Sequence, residues 1–214
     1  MPLLLEQGDR ASVHIAVWRI TESEEELANM LPPLALQEQT YLEKISWKPR
    51  RIEWLASRLL IYRLTDLYPE ICYNQNGQPS VSHCRENISI SHTHGYAAVA
   101  LSARFMPGID IERPSPRIGK VKNRFLHNEE KEYLEPAFED QQLGLIWCTK
   151  EAIFKKTGQK GLNFHQDILV SAFHPQKEGF LSVTRYPHSK DQSFIQLQYL
   201  NKPEFYLVWT IREQ

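Results

Sequence analysis

The sequence predicts an α+β protein in which each half of the chain combines helices with a small antiparallel sheet. Two observations predict this class. Helix-type signals fill most of the first half up to about residue 68, short strand-type segments follow, and the second half repeats that order. The strand-type segments are short and separated by turn sequences, as in antiparallel sheets. With 214 residues, the chain is long enough for one large domain or two small halves.

Local signals define the elements of the first half. Residues 13–20 alternate between apolar and polar side chains, which is typical of a strand. Ser23 and Glu26 have the spacing of a capping box, which opens a helix to about Leu31. We expect further helices at 34–45 and 49–68 and strands at 88–91 and 96–102.

The second half is interpreted in the same way. Asn128 can cap a short helix with an acidic first turn, which suits the helix dipole. A clear helix runs from Leu143 to Thr157 and is closed by Gly158. Four strands are expected at 168–173, 180–185, 193–199 and 205–211, and a hairpin loop at 201–204 joins the last two.

Composition excludes several classes of protein. Hydrophobic residues make up 42% of the chain and charged residues 24%, as in soluble globular proteins. No apolar run approaches the ~20 residues of a membrane helix, and the N-terminus lacks the features of a signal peptide. A net charge of -1 gives the protein no overall electrostatic attraction to nucleic acid or to a membrane. The three cysteines have no zinc-like spacing, so we expect reduced thiols and a cytoplasmic location.

Two acidic side chains in the second half point to a site. Asp110 and Glu112 alternate with Ile109 and Ile111 in a segment that is predicted to form a strand. Because successive strand residues point to opposite faces, both carboxylates share one face and both isoleucines point into a core. Taken alone, such a pair is usually an exposed feature of a strand edge.

A helical segment supplies partners for this pair. Trp147, Glu151 and Lys155 recur every four residues and therefore share one stripe of a helix. A third carboxylate and a lysine can then face the first two. Three carboxylates and a lysine suit a hard cation that holds a phosphate. Taken alone, Trp147 is more often a core residue, and Glu151 with Lys155 is usually a surface pair.

The histidines and the basic clusters leave alternatives open. His92 and His94, with His83 and Cys84 nearby, suggest a zinc site, but their spacing fits no common zinc pattern. His92 either binds phosphate beside a basic patch or is a structural histidine. Three basic clusters are either solvated helix faces or a binding surface for a ligand with several phosphates. They lie around residues 48–63, 113–124 and 150–160.

The two segments resemble the paired signature of the 4'-phosphopantetheinyl transferases, and the larger, single-chain surfactin-type group matches best. The signature segments are Gly108-Ile109-Asp110-Ile111-Glu112 and Trp147-Cys148-Thr149-Lys150-Glu151-Ala152-Ile153-Phe154-Lys155. Weaker blocks agree at residues 50–58, 76–79, 89–93 and 124–126. The matches span about residues 48 to 160 in the order of the family.

The resemblance implies a transfer reaction. Coenzyme A supplies 4'-phosphopantetheine to a serine hydroxyl of an acyl or peptidyl carrier protein, and 3',5'-ADP is released. The family pattern implies that Asp110, Glu112 and Glu151 bind Mg²⁺, that Glu151 is also the general base, and that Lys155 holds a phosphate oxygen. We assign no role to Lys150.

The resemblance also implies contacts with coenzyme A and a fold. Arg58 and His92 are implied at its 3'-phosphate end. Gln78 stands where the family usually has lysine, so that cofactor contact is expected to be weaker. The implied fold has two similar α+β halves, residues 1–105 and 106–214, with the active site in the cleft between them. Two halves in one chain predict a monomer.

Other functions and one further feature follow from the same residues. The departures at Gln78 and Ser89 allow a catalytically degenerate protein that binds coenzyme A, although the full set of carboxylates argues against it. A metal-dependent phosphatase or pyrophosphatase would use the same carboxylates. The basic stretch from Arg113 to Arg124 can steer an acidic carrier protein toward the site.

Overall fold

The chain divides into two compact units, Met1–Met106 and Pro107–Gln214. A computed structural model describes residues 3–9, 12–66, 70–82 and 84–212. Both units combine helices with antiparallel strands, so the predicted α+β class is confirmed. Over these ranges, no helix is both long and apolar enough to cross a bilayer.

The first unit packs helices on a four-stranded antiparallel sheet and adds a separate two-stranded sheet. Its elements are β1 (Leu3–Gln7), β2 (His14–Arg19), α1 (Glu24–Met30), α2 (Leu36–Lys44), α3 (Lys48–Thr65), β3 (Ile71–Tyr73), β4 (Pro79–Val81), β5 (Asn87–Thr93) and β6 (Tyr96–Ser102). The strand order is β1-β2-β6-β5, and β3 pairs with β4. Leu55 and Leu59 of α3 are fully buried in a core shared with β6.

Most predicted elements of this unit are present. Ser23 and Glu26 form both hydrogen bonds of the capping box. The helix predicted over 49–68 is observed as α3 and ends at Thr65, whereas Tyr68 lies outside the described residues. The strands β1, β3 and β4 were not predicted. The last two have three residues each, too few for an alternating pattern to be recognised.

The second unit is a five-stranded antiparallel sheet covered by a long helix. Its elements are β7 (Ile109–Glu112), α4 (Pro116–Val121), a 3-10 turn (Lys122–Arg124), α5 (Asn128–Glu132), α6 (Glu139–Thr157), α7 (Phe164–Asp167), β8 (Ile168–Val170), β9 (Glu178–Arg185), β10 (Ser193–Asn201) and β11 (Tyr206–Arg212). The strand order is β7-β11-β10-β9-β8, so β7 is an edge strand.

Helix termini give one correction and one confirmation in this unit. The N-cap of α5 is His127, not Asn128, because the His127 ring accepts the backbone N–H of Glu129 and Glu130 completes a capping box. Helix α6 begins at Glu139, four residues before the predicted start. The prediction began too late because the first turn of α6 contains no apolar side chain. Gly158 ends α6 in the left-handed conformation, as predicted.

Candidate active site

Strand β7 presents two acidic side chains on one face. Ile109 and Ile111 are fully buried, whereas Glu112 is half-buried and Asp110 is 4% exposed. The alternation predicted from the sequence is therefore present. Gly108, just before the strand, has no room for a side chain, because a Cβ there would lie 2.0 Å from the Ala152 carbonyl oxygen of α6. Glycine thus permits the close approach of the strand to the helix.

Helix α6 brings Glu151 and Lys155 to this strand. The Lys155 ammonium donates to Asp110 Oδ1 at 2.6 Å and to the Ile109 carbonyl oxygen at 3.2 Å. Glu151 lies one helical turn before Lys155, on the same stripe. The structure therefore brings the strand carboxylates and the helix stripe together.

The electrostatics of this cluster are dominated by negative charge. Burial raises the pKa of Glu151 to about 7, with repulsion from Asp110 and Glu112 in the same direction and Lys155 opposing it. Burial and the two strand carboxylates also raise the pKa of the Cys148 thiol, which therefore stays protonated at neutral pH. Three carboxylates beside the Lys155 ammonium form the type of donor set that hard cations such as Mg²⁺ prefer.

Trp147, the first residue of the stripe, packs among aromatic side chains. Its ring contacts Phe125 edge-on at a centroid distance of 5.2 Å and Phe164 at 6.0 Å. These rings line a mostly apolar depression of about 570 Å³. The other lining residues are Val121, Arg124, Gly161, Leu162 and Asn163.

Lys150, which received no role from the sequence, is a fully buried structural residue. Its ammonium donates to Glu130 Oε2 at 2.7 Å and to the carbonyl oxygens of Phe125, Phe164 and Ile168 at 2.7–2.8 Å. Burial lowers the pKa of Lys150 to about 8, and Glu130 opposes that shift. Because four oxygens surround the nitrogen, the charged ammonium is favoured. Lys150 thus connects three backbone segments and α5 to the helix that carries Glu151.

In the first unit, Arg58 has protein partners. It is 3% exposed, its Nε donates to Glu38 Oε1 at 2.8 Å, and its guanidinium stacks over the Trp54 ring. Burial lowers the pKa of Arg58 and Glu38 opposes this. The phosphate contact implied for Arg58 stays a prediction, and it requires exchange of the carboxylate for the phosphate.

His92 lies beside Arg50, a member of the basic cluster at residues 48–63 to which the sequence assigned no individual role. Its Nδ1 is 2.9 Å from an Arg50 guanidinium nitrogen and 3.0 Å from Glu53 Oε2. The arginine requires an unprotonated Nδ1 and the carboxylate a protonated one, so the two partners compete for this atom. Arg50 and Glu53 are three residues apart on α3, a spacing that identifies neighbours on a helix.

Gln78 is part of a tight turn. Its backbone N–H donates to Asn74 Oδ1 at 2.9 Å, and its side-chain oxygen accepts from Asn74 at 3.2 Å. The implied cofactor contact of Gln78 stays a prediction. His83, considered above as a zinc ligand, lies outside the described residues.

Comparison with known proteins decides the family of the second unit. The model of the 4'-phosphopantetheinyl transferase superfamily matches residues 106–209. Residues 106–209 are a 4'-phosphopantetheinyl transferase superfamily domain. This domain contains β7 and α6, and therefore all three carboxylates and Lys155.

The curated relatives are named 4'-phosphopantetheinyl transferases. A Salmonella typhimurium protein, 4'-phosphopantetheinyl transferase AcpT, is 34% identical over 115 residues, or 51% of this chain and 60% of the relative. AcpT of Salmonella typhi is 33% identical over the same shares. A Synechocystis protein is 31% identical over 51% of this chain and 48% of its own length. The matched region thus spans about half to 60% of each relative.

Proposed function

We propose that this protein transfers the 4'-phosphopantetheine group of coenzyme A to a serine hydroxyl of an acyl or peptidyl carrier protein. One observation carries the proposal. A 4'-phosphopantetheinyl transferase superfamily domain contains an acidic cluster in which the Lys155 ammonium contacts Asp110 beside Glu151. We further propose a monomeric, cytoplasmic enzyme of the surfactin-type group.

The acidic cluster fits a magnesium ion. Burial is the main cause of the raised pKa of Glu151, and repulsion from Asp110 and Glu112 adds to it. These three carboxylates would hold Mg²⁺, which takes a few carboxylates and keeps several waters. When bound, the ion supplies charge neutralisation for the diphosphate of coenzyme A. A second cation beside Lys155 therefore relieves a repulsion that already exists.

The remaining chemistry is assigned to residues of the chain. Glu151 takes the proton of the carrier serine, directly or through a water molecule. The serine oxygen bonds to the phosphorus that bears pantetheine, the bond from that phosphorus to the bridging oxygen breaks, and 3',5'-ADP leaves. Lys155 exchanges Asp110 for a phosphate oxygen of the substrate and stabilises the charge that develops there.

Groups of the first unit are proposed for the 3'-phosphate of coenzyme A. His92 keeps the assignment made from the sequence, and Arg50, which contacts it at 2.9 Å, adds a cation. Arg58 keeps its assignment through an exchange of Glu38 for phosphate. Gln78 contributes a weaker contact than the lysine usual in the family.

The segment from Arg113 to Arg124, called here the basic segment, is proposed as the carrier contact. Its exposed cations are Arg113, Arg117, Lys120 and Arg124. Lys122 is instead paired with Glu139 at 2.6 Å. Carrier proteins of this class are typically acidic, so the exposed cations provide charge complementarity that accelerates association.

The proposal is tested by mass. The full chain is incubated with coenzyme A, Mg²⁺ and a panel of apo-carrier proteins, and intact masses of the carriers are measured. We expect a gain of one phosphopantetheine that requires Mg²⁺ and disappears in Asp110→Ala. The matched control is Asp191→Ala, an exposed turn aspartate, which should retain transfer. No mass gain on any carrier would contradict the proposal.

A second candidate is a protein that binds coenzyme A without transferring anything. The Gln78 side chain favours this candidate. It stands where the family usually has lysine, and its oxygen accepts a hydrogen bond from Asn74 within the turn. Calorimetry distinguishes the two. Binding of coenzyme A without any mass gain supports the binder, and turnover excludes it.

A further inference from the structure

A second group of metal-ligating side chains lies outside the acidic cluster. His127 caps α5, Glu129 lies in the first turn of that helix, and His188 lies in the turn between β9 and β10. One ligand atom of each residue lies within 4.8 Å of those of the other two. His127 and Glu129 are two residues apart, whereas His188 lies much later in the sequence, so only the fold brings His188 to the other two.

The distances suit tetrahedral coordination. Glu129 Oε1 lies 3.3 Å from His188 Nε2 and 3.8 Å from His127 Nδ1. Ligands at the usual bond lengths to zinc, about 2.0–2.2 Å, are separated by roughly 3.3–3.6 Å in a tetrahedron. Glu129 and His188 are both exposed, so their side chains have room to move toward that geometry.

Metal binding at His127 competes with its role as a helix cap. Its Nδ1 accepts the Glu129 backbone N–H at 3.3 Å, so this nitrogen carries no hydrogen in the neutral ring, and its one lone pair is engaged in the cap. A cation bound to Nδ1 takes that lone pair in place of a long hydrogen bond. Glu129 Oε1, on the same first turn, supplies the second ligand atom.

His127 is also held firmly in place. Its backbone N–H donates to Glu130 Oε2 at 2.7 Å, and the same carboxylate oxygen accepts from the buried Lys150 at 2.7 Å. One ligand of the cluster is thus positioned before any metal binds.

We propose that His127, Glu129 and His188 form a binding site for a transition-metal dication, with Zn²⁺ as the best fit. Two imidazoles and one carboxylate are a zinc ligand set that leaves a fourth position for water. Imidazole ligands favour zinc over magnesium, so this site and the acidic cluster select different ions. Bound zinc links the β9–β10 turn to the N-terminus of α5.

The site is tested by calorimetric titration of the full chain with zinc chloride in excess Mg²⁺. The background carries Cys72→Ser, because Cys72 is an exposed thiol that can itself bind zinc. We expect one equivalent of zinc to bind, and affinity to fall about 10- to 100-fold in His188→Ala and in Glu129→Gln. His174→Ala is the matched control, since His174 is also an exposed imidazole paired with a glutamate, at 3.1 Å.

Cobalt absorption gives a second, independent measurement. Co²⁺ bound to the proposed ligands shows visible bands without the charge-transfer bands of a thiolate ligand, and His188→Ala abolishes the visible bands. Three results would overturn the proposal: no stoichiometric zinc binding, binding unchanged in both ligand variants, or an equal loss in His174→Ala. None of these measurements depends on carrier transfer, so their failure leaves the proposed function unaffected.

Discussion

Lys150 and Lys155 lie little more than one turn apart on α6, and each pairs with a buried carboxylate at 2.6–2.7 Å. Their surroundings differ. Lys150 and Glu130 are fully buried, and four oxygens surround the Lys150 ammonium. Lys155 has a side chain that is 26% exposed and lies in an excess of negative charge near Glu151.

The difference separates a structural ion pair from a reactive one. A buried pair whose hydrogen bonds are satisfied has no room for a ligand, and loss of one partner leaves an uncompensated charge. A partly exposed pair within an excess of carboxylates can exchange a partner for a cation or a phosphate. Substitution of Lys150 should therefore lower mainly stability, and substitution of Lys155 should lower mainly transfer.

The largest expected effect is on stability. Lys150→Met leaves Glu130 buried and unpaired and should lower the free energy of unfolding by about 3–5 kcal/mol. Lys155→Met, the matched control on the same helix, should lower it by less, because the Lys155 side chain is 26% exposed and water can reach the pair. Urea denaturation followed by circular dichroism measures both values.

The double variant Lys150→Met/Glu130→Gln keeps the comparison informative if Lys150→Met does not fold. Removal of the unpaired charge should recover part of the lost stability. Equal stability losses in Lys150→Met and Lys155→Met would show that the two pairs do not differ in the way proposed.

The next effect is on transfer. Asp110→Asn removes a carboxylate from the acidic cluster and the partner of Lys155, so kcat should fall about 10²–10³-fold. Stability should change by no more than about 1 kcal/mol, because lost attraction to Lys155 is offset by reduced repulsion of Glu151. Rates come from carrier masses over time, with Asp191→Asn as the control. Near-normal kcat in Asp110→Asn would contradict the role of the cluster.

A smaller effect is expected in the pH dependence of stability without divalent ions. The pKa of Glu151 is raised by burial to about 7, from an ordinary value of 4.5. Between these values the folded state binds a proton that the unfolded state does not, so stability falls as pH rises through this window. We expect a loss of roughly 1–3 kcal/mol between pH 5 and pH 8.

Glu151→Gln isolates this contribution. Glutamine cannot titrate, so the variant should lose the part of the pH slope that Glu151 causes. Urea denaturation at pH 5 and pH 8 compares the two proteins. Identical slopes for the wild type and Glu151→Gln would show that the carboxyl of Glu151 titrates normally.

The smallest effect concerns association with the carrier. Charge reversal in the basic segment, Arg117→Glu with Lys120→Glu, should slow carrier association about tenfold at low salt and less at high salt. Coenzyme A affinity should stay unchanged. Stopped-flow association rates measure the effect, and Lys177→Glu, another exposed lysine, is the control. An association rate that does not change with salt or with charge reversal would show that the basic segment does not contact the carrier.

Local sequence patterns predicted much of the fold and part of the candidate site. The capping box of Ser23 and Glu26 and the terminal Gly158 were recognisable because their hydrogen bonds and backbone angles involve residues a few positions apart. The alternation of Asp110 and Glu112 with buried isoleucines was predictable for the same reason. The cap of α5 was misassigned because histidine is a rare capping residue and its neighbour Asn128 is a common one.

The sequence by itself determined the α+β class, the strand that carries Asp110 and Glu112, and the helix stripe that carries Glu151 and Lys155. Only the tertiary structure decided that Lys150 is buried among four oxygens and that Lys155 is not. It also brought His188 to the N-terminus of α5. The physical reason is the range over which the deciding interactions act along the chain. Periodicity and caps depend on neighbours within a turn or two, whereas burial and charge balance depend on segments that meet only when the sheet and helices have packed.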